Sequence, residues 1–343
     1  MDTPLGPDAA MDLAVQLAAK GPAYGPNPRV GAVLTDADGV VLATGYHQGA
    51  GTAHAEAAAI ADARSRGVDL TGAHAYVTLE PCSHVGRTGA CTDALTSAGV
   101  AHVTYAVADP NPLARGGADV LASRGVDVHH TPHPQAEALN QRWLASMSAG
   151  RPYVIVKWAQ TLDGYTAAAD RTSFWITGEA ARAHAHTMRA QVDAILVGTQ
   201  TVITDNPLLS ARPDGIPDPH QPLRVVMGLR DTSGAQVWRD DNAIALHTHE
   251  PDEVLRALWE RDIRTLVVEG GSRVITAFLG AGLVDELNVY IAPALLGDGV
   301  RAVGGLGITT MADALRATRV HTTSLGADTL VTAHLGSAPL GKE

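Results

Sequence analysis

AYVTLEPCSHVGRTGAC (75–91), read with the upstream HAEAAA (54–59), carries the strongest signal in this chain. AYVTL reads as a strand, Pro81-Cys82 follows it, and Cys91 opens the helical pattern CTDALTSAG (91–99). His54-Ala55-Glu56 opens a second helical pattern, AEAAAIADARSRG (55–67). Two thiolates and one neutral imidazole offset the +2 charge of zinc and leave the fourth tetrahedral position to water, as in a catalytic rather than a structural site. Helix N-termini favour the thiolates through their positive dipole ends. Zinc lowers the pKa of bound water to about 7. Glu56 is placed to carry a proton from that water to a leaving amine. His54, Cys82 and Cys91 are therefore the expected zinc ligands and Glu56 the expected catalytic shuttle. A Cys82–Cys91 disulfide would leave His54 and Glu56 unexplained, and a structural zinc would have to recruit His84.

Outward from that stretch, helical and strand patterns alternate. A helical pattern carries Met11, Leu13, Ala14, Leu17 and Ala18, and VGAVLTD (30–36) and VVLATG (40–45) are strands around Ala37-Asp38-Gly39. HVTYAV (102–107) and VDVH (126–129) are strands on either side of helical GGADVLASRG (116–125). The alternation predicts a three-layer α/β domain with a mainly parallel sheet. TPHPQAEALNQRWLASMSAGRP (131–152) reads as a connecting helix. Strands at 153–159, 192–198, 223–228, 264–270 and 285–293, with helices at 178–191, 253–261 and 272–281, predict a second α/β unit. The expected domains are 1–147 and 151–343, and the tail GSAPLGKE is expected to be disordered.

The chain's 343 residues fit two domains at roughly 150 residues each. With 36 acidic against 25 basic residues the net charge is −11, a field that repels nucleic acid and anionic membranes. Two Phe, five Trp and seven Tyr are too sparse for base-stacking platforms, so a small-molecule substrate is expected. No apolar run approaches the ~18 residues that cross a bilayer, and MDTPLGPDAAMDLAVQLAAKG has no signal-peptide pattern, so a cytoplasmic location is expected.

The second domain carries weaker signals. It has no G-x-G-x-x-G fingerprint. Glu269-Gly270-Gly271 followed by Ser272 presents backbone N–H groups at a helix start, either a pyrophosphate cradle or an ordinary turn and cap. Lys157, inside the apolar run YVIVKWA, either meets a phosphate or carboxylate or points out at a strand end. Asp205, in an expected loop before Asn206-Pro207, is either a turn residue or a carboxyl reaching a cleft. In the first domain Arg87 in its Gly-bounded loop suits a phosphate or plain solvation, and Asn27 between two prolines suits a pocket amide or a turn.

GPNPRVGAV (25–33), HQGAGTAHAEAAA (47–59), the 75–91 stretch and ADPNP (108–112) resemble the bifunctional riboflavin-biosynthesis (RibD) family, a diaminohydroxyphosphoribosylaminopyrimidine deaminase fused to a 5-amino-6-(5-phosphoribosylamino)uracil reductase. KWAQTLDGYTA (157–167), SFWITG (173–178), 188–212, QPLRVV (221–226) and VVEGGSRVI (267–275) resemble its reductase part. The resemblance implies a cytidine-deaminase-like α/β/α domain, then a dihydrofolate-reductase-like α/β domain, with Zn2+ and NADPH as cofactors and a phosphoribosyl-pyrimidine substrate. It implies Asn27, His47, His84, Arg87, Asp109 and Asn111 at the first substrate pocket. For the reductase it implies Ala159, Trp175, Thr201, Asp205 and the loop Gly271, Ser272, Arg273, Val274, Ile275, Thr276 and Ala277 at the cofactor. Ser173, Arg189, Leu209, Arg212 and Glu269 fall at its substrate, with Asp205 also catalytic. A homo-oligomer formed through the reductase domain is expected. Gly89-Ala90 and Asn206 depart from the family's usual prolines and second Asp. The rivals are a nucleoside or tRNA deaminase with an unrelated partner domain, disfavoured by the acidic charge, and a zinc-stabilised binding module.

Overall fold

A computed structural model describes residues 3–83, 89–111, 114–173 and 175–336. Two compact units divide the chain, Met1–Gly150 and Arg151–Glu343. The first runs α1 (Pro7–Ala18), β1 (Gly31–Thr35), β2 (Val41–Tyr46), α2 (Ala55–Ser65), β3 (His74–Val77), α3 (Cys91–Ser97), β4 (His102–Tyr105), α4 (Gly117–Ser123), β5 (Asp127–His130) and α5 (Pro134–Ala149). The last turn of α5 extends past Met147 and closes on Gly150, whose φ of 63° suits a residue without Cβ.

The sheet order is β2-β1-β3-β4-β5. β1 is antiparallel to both β2 and β3, and only the β3/β4 and β4/β5 pairs are parallel, so the sheet is mixed rather than mainly parallel. Connection length is the cause. The tight turn at Gly39 (φ +87°) can join only antiparallel neighbours, whereas the crossovers through α3 and α4 permit parallel ones. Along β1, Ala32 and Leu34 face α2, α3 and α4 and pack with Ala59, Ile60, Leu95 and Leu121. Val33 faces the other way, onto Ala10, Met11 and Ala14 of α1 and Ala136 of α5. Each large side chain fully buried here, such as Leu34 or Leu95, contributes roughly 1.5–3 kcal/mol. The α2 face lies unusually close to β2, because a Cβ on Gly45 would stand 2.3 Å from the Ala55 carbonyl and 2.4 Å from the Ala59 nitrogen. That approach fixes the start of α2, where His54 and Glu56 sit.

The second unit runs β6 (Tyr153–Thr161), β7 (Tyr165–Ala167), α6 (Glu179–Arg189), β8 (Ala194–Gly198), α7 (Thr199–Asp205), β9 (Leu223–Met227), β10 (Ala243–Leu246), α8 (Pro251–Trp259), β11 (Thr265–Val268), α9 (Ser272–Gly280), β12 (Glu286–Ala292), β13 (Val300–Arg301), β14 (Ala317–Leu325) and β15 (Asp328–Leu335). Eight strands form one sheet in the order β10-β9-β8-β11-β6-β12-β15-β14. It is parallel from β10 through β12 and antiparallel at β15 and β14. Val154 and Val156 face α8 and α9, packing with Leu258, Ile275 and Phe278. The two-residue period of a strand then sends Lys157 and Ala159 to the opposite face, where Ala181 and Ala185 of α6 cover Tyr290 and Leu330.

A second expectation is corrected. The segment expected to be a loop is helix α7, and Asp205 is its last residue, closed by Asn206 at φ +42°. Thr199, Thr201, Val202, Ile203 and Thr204 are β-branched and lower helix propensity, yet the docked helix forms. The expected disorder of the tail concerns, apart from Gly336, residues outside those described.

Candidate functional site

In the first unit His54 is the N-cap of α2 in extended backbone, Glu56 is the second residue of that helix, and Cys91 is the first of α3. His54 Nδ1 lies 3.3 Å from Cys91 Sγ and 3.6 Å from Cys82 Sγ. The three donor atoms all fall within 4.8 Å of one another, the one such metal-ligand group among the described residues. Both cysteines are free thiols. The Cys91 backbone N–H also donates to Cys82 Sγ at 3.4 Å. Hydrogen bonding from Cys91 and then His54 pulls the Cys82 thiol down to about 4 against the effect of burial, while Cys82 and burial push Cys91 up. One nitrogen and two sulfur donors, His54 and Cys91 set at helix starts and Cys82 in the segment after β3, fit zinc. We expect one zinc per chain, which elemental analysis of protein purified without chelator will detect, and which thiol oxidation will release.

Glu56 is 3% exposed, and burial raises its pKa. His47 is buried with its ring 5.5 Å from that of His54, centroid to centroid. His47 Nδ1 donates to the Ala53 carbonyl at 3.0 Å, which leaves Nε2 to accept from the Asn27 amide at 2.9 Å. Burial lowers the His47 pKa and favours this neutral form. Asp109 and Asn111 form a turn in which the Asn111 N–H donates to Asp109 Oδ1 at 2.8 Å. His84 and Arg87 lie outside the described residues. The sequence reading missed Glu80, a buried carboxylate inside the quoted motif that accepts three backbone N–H groups.

In the second unit a cavity of about 990 Å³ is lined by Ala159, Ser173, Trp175, Arg189, Asp205, Leu209 and Arg212, together with Lys157 and Tyr290. Leu209 holds φ +50°, a left-handed backbone that costs a non-glycine residue roughly 1–2 kcal/mol. Trp175 is 68% exposed, and its ring stacks 4.4 Å from the Arg182 guanidinium, so it belongs to the rim and not to the core. Behind the lining, Glu269, its side chain 9% exposed, receives Arg189 through two hydrogen bonds of 2.8 Å and Lys157 Nζ at 3.4 Å. The Lys157 ammonium also lies 5.3 Å from the Tyr290 ring centroid. Lys157 therefore meets a carboxylate, the first of its two readings.

Burial opposes ionisation of Glu269, but Arg189 and Lys157 outweigh it and hold the carboxyl far below the usual range. Glu269→Ala strands two cations in the wall of the unit, and we expect a loss of about 3–5 kcal/mol in denaturant unfolding. The stability Glu269 contributes is fully present above its unfolded pKa near ~4.3 and is lost as pH falls from there toward its depressed folded value.

Thr201, Glu269 and residues 271–277 do not line the cavity. A Cβ on Gly271 would stand 3.7 Å from Thr201 Oγ1, which places that hydroxyl beside the start of α9. Gly271 is the N-cap of α9, and residues 272–277 lie in its first two turns. Ile275 is buried in the core and Val274 packs against it, so their side chains face inward. Tyr290 and His184, hydrogen-bonded at 2.8 Å, went unnoticed in the sequence because both look like ordinary interior residues there.

Residues 7–107 match the cytidine and deoxycytidylate deaminase zinc-binding region, and residues 152–331 match the RibD C-terminal domain. Fold and site thus define a zinc-binding deaminase unit followed by a reductase unit. The riboflavin biosynthesis protein RibD of Corynebacterium ammoniagenes is 47% identical over 80% of this chain and 82% of its own length. That of Mycobacterium tuberculosis is 44% identical over 90% of this chain and 91% of its own. Among solved structures, Acinetobacter baumannii RibD superposes with a TM-score of 0.86 at 34% identity, covering 96% of this chain and 99% of that one. The deaminase/reductase of Thermotoga maritima gives 0.82 at 31% identity, again covering 96% and 99%. The chain belongs to the RibD family of bifunctional riboflavin-biosynthesis enzymes.

Proposed function

We propose that the first unit hydrolyses the ring amine of 2,5-diamino-6-ribosylamino-4(3H)-pyrimidinone 5′-phosphate, and that the second reduces the ribosyl chain of the deaminated product to ribityl with NADPH. The convergence of His54, Cys82, Cys91 and buried Glu56 carries this reading. His54, Cys82 and Cys91 would hold zinc, which when bound would supply the Lewis acidity that activates water at neutral pH. Glu56, with its raised pKa, takes the proton of that water and delivers it to the leaving ammonia. The neutral His47 and the Asn27 amide offer a polar edge beside the metal ligand for the pyrimidine.

In the second unit NADPH supplies the hydride. Asp205 lines the cavity, where its carboxyl can exchange a proton as the ribose ring opens, and burial raises its pKa. Arg212 and Arg189 present forked cations suited to the substrate phosphate, with Glu269 fixing Arg189. The start of α9, with Gly271 as N-cap and the Thr201 hydroxyl beside it, suits a cofactor phosphate.

Self-association through the second unit is part of this proposal. It is supported by the exposed edge strand β14 and by Leu295 and Met311, 74% and 77% exposed. Two cysteines kept as metal ligands suit the reducing cytoplasm.

The test is mass-spectrometric analysis of products from the diamino substrate. Without NADPH the product should show exchange of an amino group for a hydroxyl, with ammonia released. With NADPH it should also gain two hydrogens, one as hydride and one as a proton. No ammonia release by zinc-loaded protein would overturn the proposal.

A further inference from the structure

Glu80 lies beyond the end of β3 at Val77, directly before Pro81-Cys82, and it is 8% exposed. Its backbone N–H donates to the Val107 carbonyl at 2.8 Å. Its carboxylate accepts three backbone N–H groups, one from Asp109 in the facing loop at 3.2 Å and two at the start of α4, from Gly116 at 3.0 Å and Ala118 at 3.1 Å. The two segments touch closely next door as well. A Cβ on Gly117 would stand 1.7 Å from the Pro81 carbonyl oxygen, so the start of α4 lies directly on the backbone that carries the zinc ligand. The same loop bears Asp109 and Asn111.

We propose that Glu80 is a positioning residue of the deaminase, one that sets the Asp109–Asn111 loop against the Cys82 segment and so governs substrate affinity without touching metal or substrate. The inference rests on the reading above, in which Asp109 and Asn111 meet the phosphoribosyl-pyrimidine. A carboxylate suits the task because its two oxygens offer about four lone-pair sites and donate nothing. An amide of the same shape replaces one acceptor with a donor and turns N–H toward N–H. The loop then loses a charge-assisted anchor, while His54, Cys82, Cys91 and Glu56 keep theirs.

The experiment compares Glu80→Gln, Glu80→Asp and Asn111→Ala in the full chain loaded with zinc, using the diamino substrate. Glu80→Gln should raise the deamination KM about tenfold or more, as loss of a charge-assisted hydrogen bond implies, and change kcat by less than about threefold. Zinc should remain at one per chain, and NADPH-dependent reduction of supplied deaminated substrate should be unchanged. Glu80→Asp, which keeps the charge one methylene short, should restore part of the affinity. A purely structural role would lower the melting temperature and leave KM alone. If Asn111→Ala raises KM and Glu80→Gln does not, the inference fails and the substrate reading stands. If neither moves KM, the loop does not meet substrate and both fall. Loss of zinc in Glu80→Gln would assign the residue to the metal scaffold and overturn the proposal.

Discussion

Glu56→Gln should remove ammonia release almost completely, by about 10²–10⁴ in rate, the usual weight of a positioned general acid–base group. The substitution isolates one property. Glutamine fills the same space at the second position of α2, beside the His54 N-cap, but cannot accept and return a proton. The carboxylate it replaces is 3% exposed with its pKa raised by burial, so the native residue is held at a cost in stability. The melting temperature of the variant should therefore equal or exceed that of the parent chain. Zinc should stay at one per chain, because the three ligand atoms are set by other residues. Reduction of chemically supplied deaminated substrate should continue, since it belongs to residues 151–343. Deamination at the parent rate would remove Glu56 from the mechanism.

That site was legible because each of its parts sits at a boundary between elements, and such boundaries are strong sequence signals. His54 precedes an alanine-rich helix, Pro81-Cys82 follows an apolar strand, and Cys91 begins a helical pattern. Glu80 stands inside the same motif, yet it was invisible as a structural anchor. Its partners are the backbone N–H groups of Asp109, Gly116 and Ala118, and backbone donors leave no residue-type signature.

The reductase cavity was less legible for a related reason. Lys157, Tyr290 and His184 come together only because β12 lies beside β6 and α6 crosses that face. Sheet order of this kind is a long-range property. β14 (ATRVHTTSL) went unread because, as an exposed edge strand, it has no buried face to impose an apolar alternation. The antiparallel β1/β3 pairing was unread because strand direction in a sheet depends on how the chain returns and not on what the strand contains.

Two carboxylates of the second unit offer the sharpest contrast in expected outcome. Glu269 is largely shielded, its side chain 9% exposed, and paired with two cations, so its removal should be felt first as lost stability. Asp205 is exposed at the end of α7, lines the cavity, and has its pKa raised by partial burial. Its side chain holds up nothing in the core. Asp205→Ala should accordingly leave folding and deamination intact and lower NADPH-dependent reduction by about 10²–10⁴, if the carboxyl supplies the proton for ring opening. The deaminated ribosylamino compound should then accumulate in a coupled assay followed by liquid chromatography and mass spectrometry. Asp205→Asn should fare no better, because the amide keeps the shape but not the proton. Since the carboxyl donates only while protonated, reduction by the parent chain should weaken as pH rises through its raised pKa, on a limb absent from both variants. Reduction at the parent rate in Asp205→Ala would leave Asp205 as a helix-terminal residue only and move the search for the proton donor to Tyr290 and its partner His184.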